Sequence, residues 1–188
     1  MIETVLTFLK QEVNQYLTDK ASAGVNTVEL TQIVNEAGIY AFDDNKIALS
    51  LIQIEEETVF KSQGTTIRME NAFDVHLQPD IKINLYVVFA AKYSTYSESL
   101  KQLSNIILYF QSHSFFRNAE FPGLGHIERV SAELYSMSFE QLNQVWAYLG
   151  AKYLPSVVYK LRMVVIQAEN IDKIVPPVTK VIGNFNSK

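Results

Sequence analysis

The sequence predicts an α/β (α+β) domain: a single mixed sheet of four to five strands with helices packed on it. Three observations lead there. Apolar residues alternate with period two at Ile81–Tyr93, Arg129–Ser136 and Ser156–Gln167, as half-buried strands require. Between and before these stretches the spacing switches to the helical period. The 188 residues, 48% apolar and without cysteine, are enough to bury roughly 70% of the unfolded surface, so a core forms without disulfides or metal.

The opening segment is an amphipathic helix. Ile2, Val5, Leu6, Leu9, Val13, Tyr16 and Leu17 follow i, i+3, i+4, i+7 spacing, with Glu3, Lys10, Glu12 and Asn14 on the other side. Thr27–Val34 is β-branched and reads as a strand. The turn-like Asp43-Asp44-Asn45 leads into a strand from Lys46 to Ile54 that stops in Glu55-Glu56-Glu57. In Ile81–Tyr93, Ile81, Ile83, Leu85, Val87 and Phe89 share one face. The opposite face begins polar at Lys82 and Asn84 and becomes apolar at Val88, so half of it is expected to be covered.

From Ser94 to Ser112 a helical stripe of Tyr96, Leu100, Leu103, Ile107 and Phe110 is expected, and from Arg129 to Ser136 a strand with Val130, Ala132 and Leu134 inward. Ser138-Phe139-Glu140-Gln141 matches a capping box, in which Ser138 and Gln141 satisfy free N–H groups at a helix start. That helix carries Phe139, Leu142, Val145, Trp146 and Leu149 on one face and stops at Gly150. After Pro155 the last strand alternates through Val157, Tyr159, Leu161, Met163 and Val165. Two stretches fall outside this pattern. Residues 56–80 lack periodicity and are read as a long loop that holds a hairpin turning at Gln63-Gly64. Residues 168–188 are read as an extended tail beyond a 1–167 domain, because Pro176-Pro177 blocks helix. Its apolar Ile171, Ile174, Val175, Val178, Val181, Ile182 and Phe185 are too many for a solvated end, which makes the tail a candidate contact surface.

Composition and motifs exclude more than they assign. Net charge −4 speaks against a general nucleic-acid binder. The zero cysteine count removes thiol catalysis and Cys-ligated zinc. No targeting segment is expected, since Glu3 stands where a signal peptide needs positive charge. The longest uninterrupted apolar run is the seven residues Leu85–Ala91, so no direct membrane contact is expected. His76, His113 and His126 lack metal-ligand spacing and read as surface or loop residues, so neither metal nor cofactor is expected. Asp43-Asp44-Asn45 lacks the glycine and terminal glutamate of a calcium loop. Gly123-Leu124-Gly125 lacks the third glycine of a nucleotide fingerprint, and no nucleophile elbow or P-loop occurs. Of Glu55, Glu56 and Glu57, at most Glu55 and Glu57 share a strand face. A solvated strand end or partner contact is the favoured reading over a catalytic carboxylate pair. Trp146 reads as core, while Tyr86 and Tyr135 fit a subunit interface and ordinary packing equally.

Three stretches in register carry a resemblance: Asn45–Thr58 (NKIALSLIQIEEET), Ile81–Ser94 (IKINLYVVFAAKYS) and Glu133–Val165 (ELYSMSFEQLNQVWAYLGAKYLPSVVYKLRMVV). With the opening helix (TVLTFLKQEVNQYL) they resemble the N-terminal domain of cap, or tail-terminator, proteins of contractile injection systems. These include antifeeding-prophage and virulence-cassette particles, which are similar to contractile phage tails. The resemblance implies a structural, non-enzymatic protein whose partners are itself, in a homohexamer ring, and the inner tube and sheath it terminates. It implies assembly in the cytoplasm into a phage-tail-like particle. Some members of that family continue into a further C-terminal domain. Matching positions are Glu55, Glu56 and Glu57, and Trp146, Leu149, Gly150, Lys152, Tyr153, Leu154 and Pro155; in the latter group Gly150 and Pro155 are expected to fix a helix-to-strand turn. The other readings are a small α/β ligand-binding domain or enzyme, and a connector elsewhere in such a particle.

Overall fold

A computed structural model describes residues 1–21, 27–57, 66–70, 73–77, 81–166 and 171–175. In chain order its elements are α1 (Ile2–Ala21), β1 (Val28–Leu30), β2 (Lys46–Glu56), β3 (Thr66–Glu70), β4 (Phe73–Leu77), β5 (Ile81–Lys92), α2 (Tyr96–Ser112), β6 (Phe115–Arg117), β7 (Arg129–Leu134), α3 (Phe139–Tyr148), β8 (Ser156–Ile166) and β9 (Ile171–Val175). A single 3₁₀ turn, Pro122–Leu124, links β6 to β7.

The main sheet is mixed, as expected, but has six strands rather than four or five, in the order β1-β2-β5-β8-β7-β6. Its β1–β2 pair is parallel and the other pairs are antiparallel. The added strand, β6, and the predicted first strand are short. Three-residue β6 offers too few positions to show a period, and Thr27–Val34 contracts to Val28–Leu30, with Val34 bridging Tyr40 instead. A second sheet, β3-β4-β9, joins the long loop to residues 171–175. The expected hairpin exists, but it closes between Glu70 and Phe73. Gln63 and Gly64 lie outside the described residues.

Each face of the main sheet carries its own apolar cluster. On one, Val5, Leu9, Val13 and Leu17 of α1 and Leu103, Ile106 and Phe110 of α2 pack on Ile47, Leu49, Leu85, Val87, Phe89, Val130, Tyr159 and Leu161. On the other, Trp146 of α3 packs with Ile33, Phe42, Ala48, Val88, Ala90 and Val158. The predicted alternation of β5 is thus real, and its opposite face is buried even at Asn84 and Tyr86.

Four predicted facings are corrected. Asn14 is buried, not solvated: its amide donates to the Val28 carbonyl and accepts from the Val28 N–H, both at 2.8 Å. In α2 the buried face runs through Ser99, Gln102, Leu103, Ile106, Tyr109 and Phe110, whereas Tyr96, Leu100 and Ile107 are exposed. Two stripes compete on that helix, and tertiary packing selects the one containing two polar residues. Leu134, at the last position of β7, is exposed. Phe139 is 92% exposed because the Ser138 cap makes it the first helical residue, ahead of the turns that meet the sheet. The capping box itself is present, with Gln141 N–H donating to Ser138 Oγ at 3.2 Å and Ser138 N–H to Gln141 Oε1 at 3.0 Å. Gly150 has φ +67°, a left-handed conformation that favours glycine and ends the helix. The strand that follows is tied back through Ala91 N–H to Pro155 C=O.

Candidate interface on the open half of the sheet

Helix α3 covers only the half of its sheet face nearest Ala48, Val88 and Val158. Beyond it the same face becomes polar, and a β-bulge decides which residues appear there. In the β2–β5 ladder Leu51 pairs Val87 and Gln53 pairs Tyr86, so Ile52 is an extra residue without a partner. Ile52 joins the α3 cluster, and the phase of β2 shifts by one after it. Gln53 and Glu55 therefore face the α3 side, opposite Tyr86 and Asn84, while Ile54 and Glu56 turn to the other face. Without the bulge Ile54 would lie opposite Asn84, and Glu55 would turn to the α1 side opposite Ile83. The expectation that Glu55 and Glu57 share a face agrees with this geometry.

The bulge assembles a connected polar cluster. Lys160 Nζ lies 2.9 Å from Glu55 Oε2, and the Tyr86 hydroxyl donates to the same oxygen at 2.8 Å. Asn84 Nδ2 donates to Glu57 Oε2 at 3.1 Å and reaches Glu55 at 3.5 Å. The Lys160 ammonium also sits 5.1 Å from the Tyr86 ring centre, and Tyr86 packs edge-to-face on Tyr135 at 4.9 Å. One strand over, Arg162 Nε pairs with Glu133 at 2.9 Å. Sequence reasoning found Glu55 and Glu57 but missed Lys160, Asn84 and Arg162. Their signal was a polar residue on an otherwise apolar strand face.

The Lys160 hydrogen bond, followed by that of Tyr86, holds the Glu55 carboxyl below the usual carboxylate range. Burial disfavours the Lys160 charge, but Tyr86 and Glu55 outweigh it and raise its pKa above that of an ordinary lysine. Each partner thus locks the other in its charged form. A general acid or base works best with a pKa near the operating pH; these shifts move both groups away from it. The exposed parts are acidic: the Lys160 side chain is 15% exposed and that of Glu55 43%.

Between this cluster and α3 runs an open groove of about 360 Å³, lined by Ile52, Gln53, Tyr135, Met137, Gln141, Gln144, Val145 and Tyr148. Its walls are apolar and amide, and no carboxylate or imidazole lines it. Tyr86, for which an interface and ordinary packing stood even above, is buried and spends its hydroxyl within the chain. Tyr135 lines the groove. Trp146 is core, edge-on to Tyr153 at 5.5 Å.

Other expected contact residues are more dispersed. Ile171, Ile174 and Val175 belong to strand β9, paired with β4, while Val178, Val181, Ile182 and Phe185 lie outside the described residues. His113 and His126 are exposed, and His76 is a residue of β4. Among the described residues no cluster of metal-ligating side chains occurs, and no helix is long and apolar enough to cross a membrane.

The Pvc16 N-terminal domain family matches this chain over residues 4–180. Two solved structures share its fold. One is a cryo-EM structure of an extracellular contractile injection system, the PVC sheath/tube terminator in the extended state. It aligns with TM-score 0.70 and 14% identity, covering 100% of this chain and 64% of that one. The other is the anti-feeding prophage cap, described as a tube-terminating cap, with TM-score 0.56 and 13% identity over 94% of this chain and 60% of that one. The chain spans less than two thirds of either. No curated protein matches it.

Proposed function

Because the chain belongs to the Pvc16 N-terminal domain family, we propose that it is a structural terminator of a contractile injection particle. In this reading copies of the chain close into a homohexameric ring that ends the inner tube and sheath and stabilises the distal end. The observation that carries it is the alignment of the whole chain with the PVC sheath/tube terminator. The chemistry of the candidate surface supports it. Glu55 and Lys160 neutralise each other in a ground-state ion pair, and the groove beside them gathers no titratable group that could handle a proton other than two tyrosines. Such a surface suits docking better than catalysis, so the reading includes no enzymatic activity and no cofactor.

Partner contacts are assigned to Glu55, Glu56 and Glu57 at the end of β2 and to Ile174, Val175, Val178, Val181, Ile182 and Phe185 of the C-terminal stretch. The rest of the reading is assembly in the cytoplasm, incorporation into a phage-tail-like particle, and no direct contact with nucleic acid or membrane. The proposal is tested by negative-stain imaging of the purified chain. Six-fold rings are expected; a population of monomers at all concentrations would count against the ring.

A further inference from the structure

A ring needs two different surfaces on each copy, one donating and one accepting, because a rotation other than two-fold never brings a patch onto itself. The acceptor has been described: the α3 groove, with Tyr148 84% exposed, whose residue Gln53 is followed two positions on by Glu55 on the same strand face. A surface of the opposite character lies at the far edge of the same sheet. In β6, Phe116 is fully buried, so Phe115 and Arg117 on either side of it point away from the α1–α2 core. Phe115 is 58% exposed. Arg117 pairs in the ladder with Arg129, which is also exposed. An aromatic side chain thus projects beside two guanidinium groups on the β6 edge. Four inter-strand steps, about 19 Å, separate this edge from β2.

We infer that these two patches are the lateral contact between neighbouring copies: Phe115 of one copy enters the α3 groove of the next, and Arg117 and Arg129 meet its Glu55 and Glu57. Charge complementarity selects a second copy of this chain as the occupant. Glu55 follows the groove residue Gln53 by two positions on the same strand face and is 43% exposed, with Lys160 sunk beside it, and the β6 edge presents two arginines next to an aromatic residue, types enriched at interfaces. Arg117 is not otherwise tightly held. It lies 3.9 Å from Glu120, and both side chains are more than 60% exposed, a pair that exchanges partners at little cost. The contact is heterologous, so it propagates from copy to copy and closes only through the ring.

This inference rests on the ring reading, and the test separates the two. The chain has no cysteine, so Arg117→Cys, on the same strand face as the anchor, and Gln144→Cys in the groove can be introduced alone and together and treated with a short bismaleimide. Each single variant should remain uncross-linked, while the double variant should give a ladder of covalent oligomers that extends past the dimer. Phe115→Ala with Arg117→Glu and Arg129→Glu changes three exposed side chains. It should keep the wild-type melting temperature yet associate roughly tenfold or more weakly. A wild-type chain that forms rings while the double-cysteine variant yields no ladder, or only dimers, overturns this contact and leaves the terminator reading standing. Unweakened association of the triple variant overturns it too. A wild-type chain that never oligomerises overturns the ring and this contact with it.

Discussion

Asn14→Leu should destabilise the domain far more than a helix-surface substitution. Strand β1 lies at the sheet edge, and its inner side pairs with β2 through Ile47 N–H to Thr27 C=O and Thr31 N–H to Leu49 C=O. The N–H and C=O of Val28 point the other way, where a further strand would sit. The Asn14 amide takes that place from α1, with two bonds of 2.8 Å. It mimics a peptide group and closes the edge at Val28 to an incoming strand. Two net hydrogen bonds at about 1 kcal/mol each set the lower bound. Leucine would also bury the Val28 groups without partners, at about 1–3 kcal/mol per group, so a total of about 2–4 kcal/mol is expected after partial relaxation. For a chain of this size that corresponds to a fall in melting temperature of about 4–16 °C. Calorimetry or urea denaturation measures it, with Gln15→Ala as control: its exposed bond to Asp19 should be worth little. A loss below 1 kcal/mol for Asn14→Leu would refute the reasoning, because it would mean Val28 finds water without the amide.

Two further outcomes are expected. Glu55 has a folded-state pKa below its ordinary value of 4.5, so its contribution to stability is present above that pH and is lost as pH falls through the lowered value. The melting temperatures of wild type and Glu55→Gln should therefore differ at pH 7 and converge below about pH 4.5; a constant gap down to pH 3 would contradict the ion pair. Trp146→Ala should cost about 3–5 kcal/mol, since Trp146 is the largest side chain of the second cluster and is buried there. A cost under 1 kcal/mol by chemical denaturation would show that α3 is not held through that residue.

The elements visible in the sequence were those whose local chemistry and tertiary role agree. Strand β5 runs apolar from Leu85 to Ala91 because both of its faces are covered there, and α3 begins where its capping box begins and stops at a glycine with positive φ. Where local pattern and packing part company, the sequence misleads. Helix α2 carries an apolar stripe at Tyr96, Leu100 and Ile107, yet buries Ser99 and Gln102, the latter with its amide donating to Glu98 at 2.7 Å. Asn14 reads as solvated because nothing local announces that Val28, fourteen residues away, needs two hydrogen bonds. The candidate interface was half legible. The glutamate run was plain, but its orientation depends on the Ile52 bulge, and its partners Tyr86, Asn84 and Lys160 arrive through strand pairing over separations of up to 105 residues. The two-faced sheet was legible only in β5 for the same reason. Ala48, Val88, Ala90 and Val158 form a floor for α3 only after three strands align.

Imaging the distal ends of particles assembled from the cognate tube and sheath proteins, with and without this chain, bears most directly on the proposed terminator role. With the chain present, tubes should end in a six-fold layer of density into which this fold can be placed, and their lengths should be uniform. Tubes of the same length distribution in its absence, or ends bearing no such layer in its presence, would contradict the account.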